Sequence, residues 1–532
     1  MTTPVTTRAP FANEAIRSFR STEERASLSA AIERLERAGP RHYPLVIDGE
    51  RQDGETRIVS VDPAHPARIV GTVASASRAQ ATGAIEVAAR RFETWQRAAP
   101  AARAEVLFRA AELVRARRDD FDALLVLEVG KTPIEADADT AEAIDFLEFY
   151  AREALRYATP PALTPVAGEE NRLAYVPLGV GVVIPPWNFA FAIMAGMTTA
   201  ALVAGNTVVL KPSSDSAVIA AVFVDLLHEA GLPPGVLNFV PGAGRTIGDA
   251  IVAHPQTRFV AFTGSKEVGL HINELAAKTQ PGQIWIKRVI AEMGGKDAIV
   301  VADDADLDAA AEGVAVSAFG FSGQKCSACS RAIVDSRVFA VFREKLLARV
   351  RALVIGEGTA FETNVGPVIN EAALQTMLGY VETAKREGGR LLAGGSRVAR
   401  DGFFLEPTVI EVDRTATIAK EEIFGPVLAL IEAADYDDAL AIANDTEFGL
   451  TGSVYSASDE RLELARERFH VGNLYFNRKS TGAYVGGHPF GGFNMSGTDS
   501  KAGGADYLLL FTQAKLVSKA LRPAAGGRPA GE

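Results

Sequence analysis

Apolar residues recur at helical spacing between residues 79 and 157, in alanine-rich runs such as ATGAIEVAARRFETW, AEVLFRAAELVRARR and DFLEFYAREALRY. This spacing gives each segment one apolar face, so the region is predicted to form amphipathic helices. Near residue 158 the pattern breaks into Pro, Gly and Thr and then alternates between apolar and polar residues. That change predicts an extended arm or hairpin that leaves the main body to make contacts elsewhere.

From Gly179 the chain alternates between short, continuous apolar runs and longer helical segments. The runs are VGVVI, NTVVL, VLNFV and RFVAF, and they are rich in β-branched residues. Strands that are apolar along their whole length are buried on both faces, as in a parallel sheet covered by helices with right-handed crossovers. We therefore predict such a sheet, with any ligand beyond the carboxyl ends of its strands.

A second α/β pattern starts at Ala298. Its predicted strands are IVVA, RAIV, EPTVIEV and PVLALIEA, and its predicted helices cover LDAAAEGVAVSAFGF and FAVFREKLLARVRAL. The chain has 532 residues, more than one hydrophobic core normally serves, so at least two large domains are expected. The fold class predicted from these patterns is α/β.

Composition and charge exclude several classes of partner. Hydrophobic residues make up 48% of the chain and charged residues 23%, as in ordinary soluble globular proteins. The net charge of −11 leaves no basic stripe for a nucleic acid. The apolar stretch from Phe189 to Leu210 is long enough to raise the question of a membrane span. Gly205 and Asn206 interrupt it and a strand-like run follows, so a buried helix and strand are favoured.

Only two cysteines occur, Cys326 and Cys329, in the loop-like segment FSGQKCSACS. Cys326 is a candidate nucleophile, and Lys325 beside it could favour the thiolate. A buried structural thiol is the ordinary alternative for a free cysteine. The CxxC spacing also resembles a redox pair or half a zinc site. Zinc would need more ligands than seven scattered histidines are expected to supply, so no metal is predicted.

Glu292 lies in the apolar, glycine-rich segment IAEMGGKDAIVV. Burial could raise its pKa and suit it to general-base catalysis, whereas a helix cap or an ion pair would explain it equally well. Gly294 and Gly295 permit close backbone approach, which favours a site.

The sequence contains only a near match to a dinucleotide-binding fingerprint. In PGAGRTIG the glycines follow a GxGxxxG spacing, which a tight turn explains as well. Gly264 and Ser265 in TGSKEVG could present backbone N–H groups to a pyrophosphate at a helix start. Lys211, just beyond a predicted strand, could reach a ribose hydroxyl, or it could be a solvated loop lysine.

Seven segments occur together in an order that is specific to one family: IPPWNFAF, GNTVVLKPSS, FTGSKEVG, AEMGGK, GQKCSA, EEIFGPV and FGGFNMSGTDSKAGG. By these motifs the chain resembles the aldehyde dehydrogenase superfamily over most of its length. The resemblance implies a Rossmann-type dinucleotide-binding domain, a second α/β catalytic domain and a small β oligomerisation flap. It also implies that Cys326 is the nucleophile, that Glu292 is the general base, and that the Asn188 amide and the Cys326 N–H form the oxyanion hole.

The same resemblance implies a nicotinamide cofactor. NAD is expected, with NADP tolerated, because many strict NAD users carry a glutamate where this chain has Ser214. The residues implied in cofactor binding are Lys211 at the adenosine ribose, Gly264 and Ser265 at the pyrophosphate, Glu422 and Phe424 at the nicotinamide ribose, together with Trp187 and Ser214.

Within the superfamily, Ser327 and the segments NRKSTGAYVG and SGTDSKAGG are similar to the subfamily that oxidises L-glutamate γ-semialdehyde. That reaction gives L-glutamate in the second step of proline catabolism. The resemblance implies that Ser327, Gly482 and Ala483 hold the α-carboxylate, with Phe189 and Phe490 around the aliphatic stem. The alternatives are a dehydrogenase for another semialdehyde or an aliphatic aldehyde, and a catalytically idle binding protein.

The expected organisation has four parts, in a homo-oligomer (a dimer or larger) that is located in the cytoplasm and has a small-molecule substrate. These parts are a dinucleotide-binding domain (1–157 and 179–291), a catalytic domain (292–503), an oligomerisation flap (158–178 and 504–520) and a disordered tail (521–532).

Overall fold

A computed structural model describes residues 8–521 of the chain. The predicted tail therefore lies, from residue 522 onwards, outside the described residues. The helices, α1 to α15 in chain order, are Thr22–Ala38, Arg78–Trp95, Pro100–Ala116, Arg118–Val129, Pro133–Tyr157, Ala192–Val203, Ala217–Glu229, Asp249–Ala253, Lys266–Ala277, Leu307–Phe319, Phe339–Arg351, Glu371–Arg386, Thr417–Lys420, Tyr436–Asn444 and Asp459–Arg468.

The strands form two large sheets and three small ones. In chain order β1 to β21 are Arg41–Tyr43, Leu45–Ile47, Glu50–Gln52, Thr56–Asp62, His65–Ser75, Glu169–Pro177, Val180–Ile184, Thr207–Leu210, Leu237–Phe239, Thr257–Thr263, Arg288–Glu292, Ala298–Val301, Arg331–Asp335, Arg390–Ala393, Thr408–Glu411, Val427–Ala433, Phe448–Gly449, Thr451–Tyr455, Asn473–Phe476, Phe493–Asn494 and Thr512–Ala520.

The first large sheet has the order β11-β10-β7-β8-β9-β2-β3, and its strands from β11 to β9 are parallel. Its faces are covered by different helices, which explains the continuous apolar runs. On β8, Val208 and Leu210 enter a core shared with α3 to α7, whereas Val209 enters a second core shared with α2, α8 and α9. The predicted strands and the α/β class are confirmed.

The edge of this sheet contains a hairpin that the pattern analysis did not predict. β2 and β3 pair antiparallel, and Asp48 and Gly49 between them have φ values of +57° and +80°. Two successive positive φ values are typical of a type I′ turn, for which Asp-Gly is a preferred sequence. The IDGE segment was therefore a usable signal for strands before residue 78.

The second large sheet has the order β14-β15-β16-β13-β12-β18-β19, with only β14 antiparallel. The four strands and two helices predicted after Ala298 are present as β12, β13, β15, β16, α10 and α11. The predicted boundary at residue 292 falls at the end of β11, the last strand of the first sheet. The two sheets therefore occupy successive parts of the chain.

A further small sheet is separate from the two large ones. β6 and β21 form a two-stranded antiparallel sheet with nine paired residues on each strand, in the regions predicted as the flap. Within the predicted flap segment 504–520, Tyr507–Phe511 forms a short 3-10 helix and Thr512–Ala520 forms the strand. Tyr507, Leu508 and Phe511 are buried in the core of the first domain, which holds this segment against the body. The strand β21 of this two-stranded sheet therefore begins at Thr512. Across residues 8–521 we find no helix with the length and apolar content to cross a membrane.

Asn206 joins the two-stranded sheet of β6 and β21 to the first domain. It is fully buried, and its Oδ1 accepts from the N–H groups of Leu178 and Gly179 at 2.7 and 2.9 Å. Its Nδ2 donates to the carbonyls of Ala201 and Phe511 at 3.0 and 2.9 Å. One side chain thus ties the end of α6 to the segments that lead into β7 and β21.

We expect Asn206→Ala to lower the free energy of unfolding by about 3 kcal/mol, because it leaves buried polar groups without partners. The measurement is urea unfolding followed by fluorescence. Asn171→Ala is the control, since the Asn171 side chain on β6 bonds only to exposed partners. A loss no larger than that of the control would contradict the role given to Asn206.

Candidate active site

Two cavities meet at Cys326. The first, of about 110 Å³, is lined on one side by Cys326 and Glu292 and elsewhere by mostly apolar side chains. The second, of about 420 Å³, opens at the carboxyl ends of the first sheet's strands, where that fold class places its ligands. Only Thr263 and Cys326 line both cavities. A group held at Cys326 is therefore accessible from either side.

The loop that carries Cys326 is fixed by unusual backbone geometry and by buried hydrogen bonds. After α10, Phe321 and Ser322 have φ values of +49° and +54°. Residues other than glycine rarely adopt this backbone conformation. The Ser322 hydroxyl donates to the carbonyl of Gly366 at 2.7 Å. The fully buried Gln324 accepts from the N–H of Ile369 at 2.8 Å. These contacts hold the strained turn in place.

Asn188 lies in the segment that follows β7 and reaches this loop. Its side chain is 4% exposed, and its Nδ2 donates to the carbonyl of Gln324, two residues before Cys326, at 3.1 Å. The predicted oxyanion-hole residue and the predicted nucleophile are thus brought together, although they come from different domains.

The surroundings of the Cys326 thiol disfavour its ionisation. Burial, followed by the charges of Asp297, Glu422 and Glu292, raises the pKa of Cys326 well above its ordinary value. The predicted help from Lys325 is not found, because its ammonium pairs with Glu135 at 2.8 Å and is not among the main groups that shift the pKa of Cys326. The uncharged thiol of Cys326 is therefore favoured over the thiolate.

The CxxC spacing does not form a redox pair in this structure. Both cysteines are free, and Cys329 is 1% exposed in the core of the second sheet. Its Sγ donates to the carbonyl of Arg331 at 3.3 Å. The structural interpretation therefore fits Cys329, whereas Cys326 is the thiol at the cavities. Within the described residues no group of three or more His, Cys, Asp or Glu could hold a metal.

Glu292 is the last residue of β11, which excludes the helix cap considered for it. Burial raises the pKa of its carboxyl to about 8. Its Oε1 accepts a hydrogen bond from the Ser500 hydroxyl, while Oε2 is buried without a partner among the described residues. A carboxyl with a pKa near working pH and one open oxygen is suited to accept a proton.

All five residues predicted to bind the substrate line the first cavity. Phe189 and Phe490 contribute aromatic surface. Gly482 has a φ of +79°, so the backbone at Gly482 and Ala483 adopts a turn that exposes main-chain groups. Ser327 is largely buried next to Cys326. These positions are what an apolar stem with a polar end requires.

Sequence reasoning missed Glu142, which lines the same cavity from α5. Burial, followed by the charge of Asp139, raises the pKa of Glu142 to about 8. The available signal was its helical spacing, which places the acid one and two turns before Phe146 and Tyr150 on the same face. An acid on the apolar face of a buried helix indicates a functional group or a buried partner.

The second cavity is lined by six of the seven predicted cofactor residues: Trp187, Lys211, Gly264, Ser265, Glu422 and Phe424. Ser214 is exposed and does not line it, whereas its neighbour Ser213 does. Ser265 caps α9 by accepting from the N–H of Val268. The amino end of that helix therefore faces the cavity and offers N–H groups to an anion.

These residues fit a dinucleotide. Lys211 is 8% exposed, has no acidic partner among residues 8–521, and has a pKa lowered by burial, so its amine is available to a ribose hydroxyl. A side chain at Gly294 would place its Cβ 2.3 Å from Oε2 of Glu422, so the backbone needs glycine here. Glu422 Oε1 accepts from the N–H of Gly295 at 2.9 Å.

The site and the two-domain fold define a class of enzyme, and comparison with known proteins agrees. The aldehyde dehydrogenase family model matches residues 50–517, and the chain belongs to this family. It is 54% identical over 511 residues to the 1-pyrroline-5-carboxylate dehydrogenase of Geobacillus thermodenitrificans, covering 96% of this chain and 99% of the relative.

Solved structures give the same result. The fold is similar to 1-pyrroline-5-carboxylate dehydrogenase from Thermus with bound NAD, with a TM-score of 0.95, 49% identity, and coverage of 97% of this chain and 100% of that one. It is also similar to proline utilization A from Bdellovibrio bacteriovorus, with a TM-score of 0.96 and 42% identity. That match covers 100% of this chain and 55% of that one.

We expect iodoacetamide to label one thiol, Cys326, slowly at neutral pH and about tenfold faster for each added pH unit up to about pH 9. The reason is that only the thiolate reacts and burial disfavours it. Mass spectrometry of peptides measures the rate, and Cys326→Ala is the unlabelled control. Labelling of Cys329, or a rate independent of pH over this range, would contradict this account.

Proposed function

We propose that the chain catalyses NAD-dependent oxidation of L-glutamate γ-semialdehyde, formed from Δ1-pyrroline-5-carboxylate, to L-glutamate. This is the second step of proline catabolism. The observation that carries the proposal is the first cavity, where the thiol and the buried acid share one space with a serine, an open turn and two phenylalanines. The named relatives at 53 and 54% identity support the same substrate.

In the first half-reaction Cys326 acts as the nucleophile. Its thiolate adds to the aldehyde carbon, and the new oxyanion accepts hydrogen bonds from the Asn188 amide and the Cys326 N–H. A prepositioned donor of this kind contributes about 10²- to 10³-fold in rate. A nicotinamide dinucleotide held in the second cavity would supply the oxidation as a hydride acceptor. The carbonyl re-forms as a thioester on Cys326.

In the second half-reaction Glu292 acts as the general base. It removes a proton from water, the resulting hydroxide adds to the thioester carbon, and the C–S bond breaks. The products are the carboxylic acid and the free thiol. Because the pKa of Glu292 is about 8, its ionised fraction, and with it the rate of hydrolysis, rises with pH through that value and levels off about one unit above it.

Two ends of the substrate would meet different groups. The Ser327 hydroxyl and the main chain at Gly482 and Ala483 suit an α-carboxylate, because N–H groups of a turn bind anions well. Glu142 suits the α-ammonium that accompanies it, and Phe189 and Phe490 enclose the stem. An aliphatic aldehyde would leave Glu142 buried and unpaired, which costs free energy.

For the cofactor, Lys211 would hold the adenosine ribose, Gly264 and Ser265 the pyrophosphate, and Glu422 with Phe424 and Trp187 the nicotinamide side. With Ser214, this chain has no acid at the position where one would repel a 2′-phosphate, so NADP should be tolerated. NAD remains the expected cofactor. The first domain would thus bind the dinucleotide and the second would carry the nucleophile.

We also propose a homo-oligomer in a reducing compartment, the cytoplasm. The two-stranded sheet of β6 and β21 exposes Leu516 and Val517, at 60 and 53% of their surface, and neither belongs to a hydrophobic core of the described residues. Exposed apolar groups on an extended strand pair are suited to contact with a second copy. Cys326 must remain a free thiol, which a reducing compartment favours.

The direct test is a spectrophotometric assay of NAD and NADP reduction with Δ1-pyrroline-5-carboxylate, with propanal as the neutral comparison. We expect much higher kcat/KM with the carboxylate and faster reduction of NAD. Cys326→Ala should abolish activity while dinucleotide binding survives. Equal kcat/KM for propanal and the semialdehyde would reject the proposed substrate.

We expect Ser327→Ala to raise KM for glutamate semialdehyde by about tenfold and to change KM for propanal little, since one hydrogen bond to a charged group contributes this much. Steady-state kinetics on both aldehydes measure the difference. Ser330→Ala is the control, because its hydroxyl bonds to the main chain of Asp297 outside the first cavity. Equal changes for both aldehydes would argue against a carboxylate contact.

A further inference from the structure

The segment 496–500 runs alongside β11 and forms a wall next to Glu292. Met293 N–H donates to the carbonyl of Ser496 at 2.7 Å, and Thr498 N–H donates to the carbonyl of Ala291 at 2.9 Å. On the other side, β11 pairs with β10. The backbone of Glu292 is therefore fixed from both sides, and its side chain has a defined place among this segment's residues.

Ser500 is the residue of this wall that touches the carboxyl. It is 2% exposed, and its hydroxyl donates to Glu292 Oε1. Gly491 closes the same space, because a Cβ there would lie 1.6 Å from the carbonyl of Ser500 and 2.9 Å from Glu292 Oε1. Glu292 Oε2 has no partner among residues 8–521. The Ser500 hydroxyl thus holds one oxygen of the carboxyl, the backbone N–H of Gly492 also favours its ionised form, and Oε2 is buried without a partner among the described residues.

The charged and titratable groups that face Glu292 come from several elements. Lys501 favours the carboxylate and Asp499 opposes it. Lys501 is itself fixed by bonds to the carbonyls of Gly472 and Gly491 at 2.8 and 2.6 Å. Cys326, Tyr507 and Glu142 line the cavity that Glu292 shares. Ser500 is the one hydroxyl that bonds to the carboxyl among the described residues.

We propose that Ser500 is a positioning residue for the hydrolytic step, holding Oε1 of Glu292 so that Oε2 stays free to take the proton of the attacking water. The inference rests on the proposed function, in which Glu292 is the base. A hydroxyl that donates to a carboxylate favours the ionised form over the neutral one. Ser500 therefore also keeps the base in the state that can accept a proton.

The test uses the full chain and an acyl group that needs neither the dinucleotide nor the natural substrate. Cys326 attacks p-nitrophenyl acetate, the acyl C–O bond breaks, and p-nitrophenolate leaves as a burst. Water then hydrolyses the acetyl thioester with Glu292 as base, releasing acetate and restoring the thiol. The burst reports acylation and the following steady rate reports hydrolysis, each as a function of pH.

For Ser500→Ala we expect a full burst and a steady rate lower by about tenfold near pH 7, with the rise of that rate displaced by about one pH unit to the alkaline side. Loss of the donor raises the pKa of Glu292 further, so a higher pH is needed for the same ionised fraction. Ser500→Thr keeps the hydroxyl and should retain the wild-type pH profile.

Ser496→Ala is the matched control. It removes a fully buried hydroxyl from the same segment, one that accepts from Gly449 N–H at 3.0 Å and does not touch Glu292. The pH profile of its steady rate should match that of the wild type. If Ser500→Ala fails to fold, the Thr variant decides: an unshifted profile supports the inference and a shifted one overturns it.

The outcomes separate this inference from the proposed function. A steady rate in Ser500→Ala with the wild-type profile, or a burst reduced as much as the steady rate, overturns the role of Ser500. Absence of a burst in the wild type instead rejects Cys326 as nucleophile. Failure of Δ1-pyrroline-5-carboxylate as a substrate, with the shift intact, rejects only the proposed substrate.

Discussion

The site depends on keeping two acids, a thiol and a carboxyl, out of water in one small space. Each is disfavoured as an anion by burial, and the charge of Glu292 is among those that raise the pKa of Cys326. The cavity therefore tolerates little net negative charge, so the two groups are suited to ionise at different stages. A reaction that first needs the Cys326 thiolate and later the Glu292 carboxylate is compatible with this restriction on negative charge. A cationic group in the adjoining cavity would ease the first ionisation.

The scaffold explains how residues distant in sequence reach this space. Asn188 follows β7, Lys211 follows β8, and Glu292 ends β11, so the carboxyl ends of three strands of one parallel sheet deliver them to one side. The second domain supplies Cys326 from the loop before β13. The strained turn at Phe321 and Ser322 persists because buried hydrogen bonds outweigh its cost.

Sequence reasoning located the long apolar strands of both sheets, because burial on two faces leaves a pattern that no solvated segment shares. It missed the hairpin at Asp48 and Gly49, whose signal is a two-residue turn and not a periodicity. It was wrong about Lys325, since adjacency in sequence does not fix where a long side chain points. The family motifs indicated which residues line the cavities, whereas the roles proposed for Glu142 and Ser500 rest on contacts that only the folded chain creates.

The pairing of β6 with β21 joins residues 169–177 to residues 512–520, which are far apart along the chain. During synthesis β6 is a lone strand with free backbone groups until β21 leaves the ribosome. The two strands therefore pair only after both large sheets have been synthesised. Any assembly that uses this strand pair excludes products that are truncated before β21.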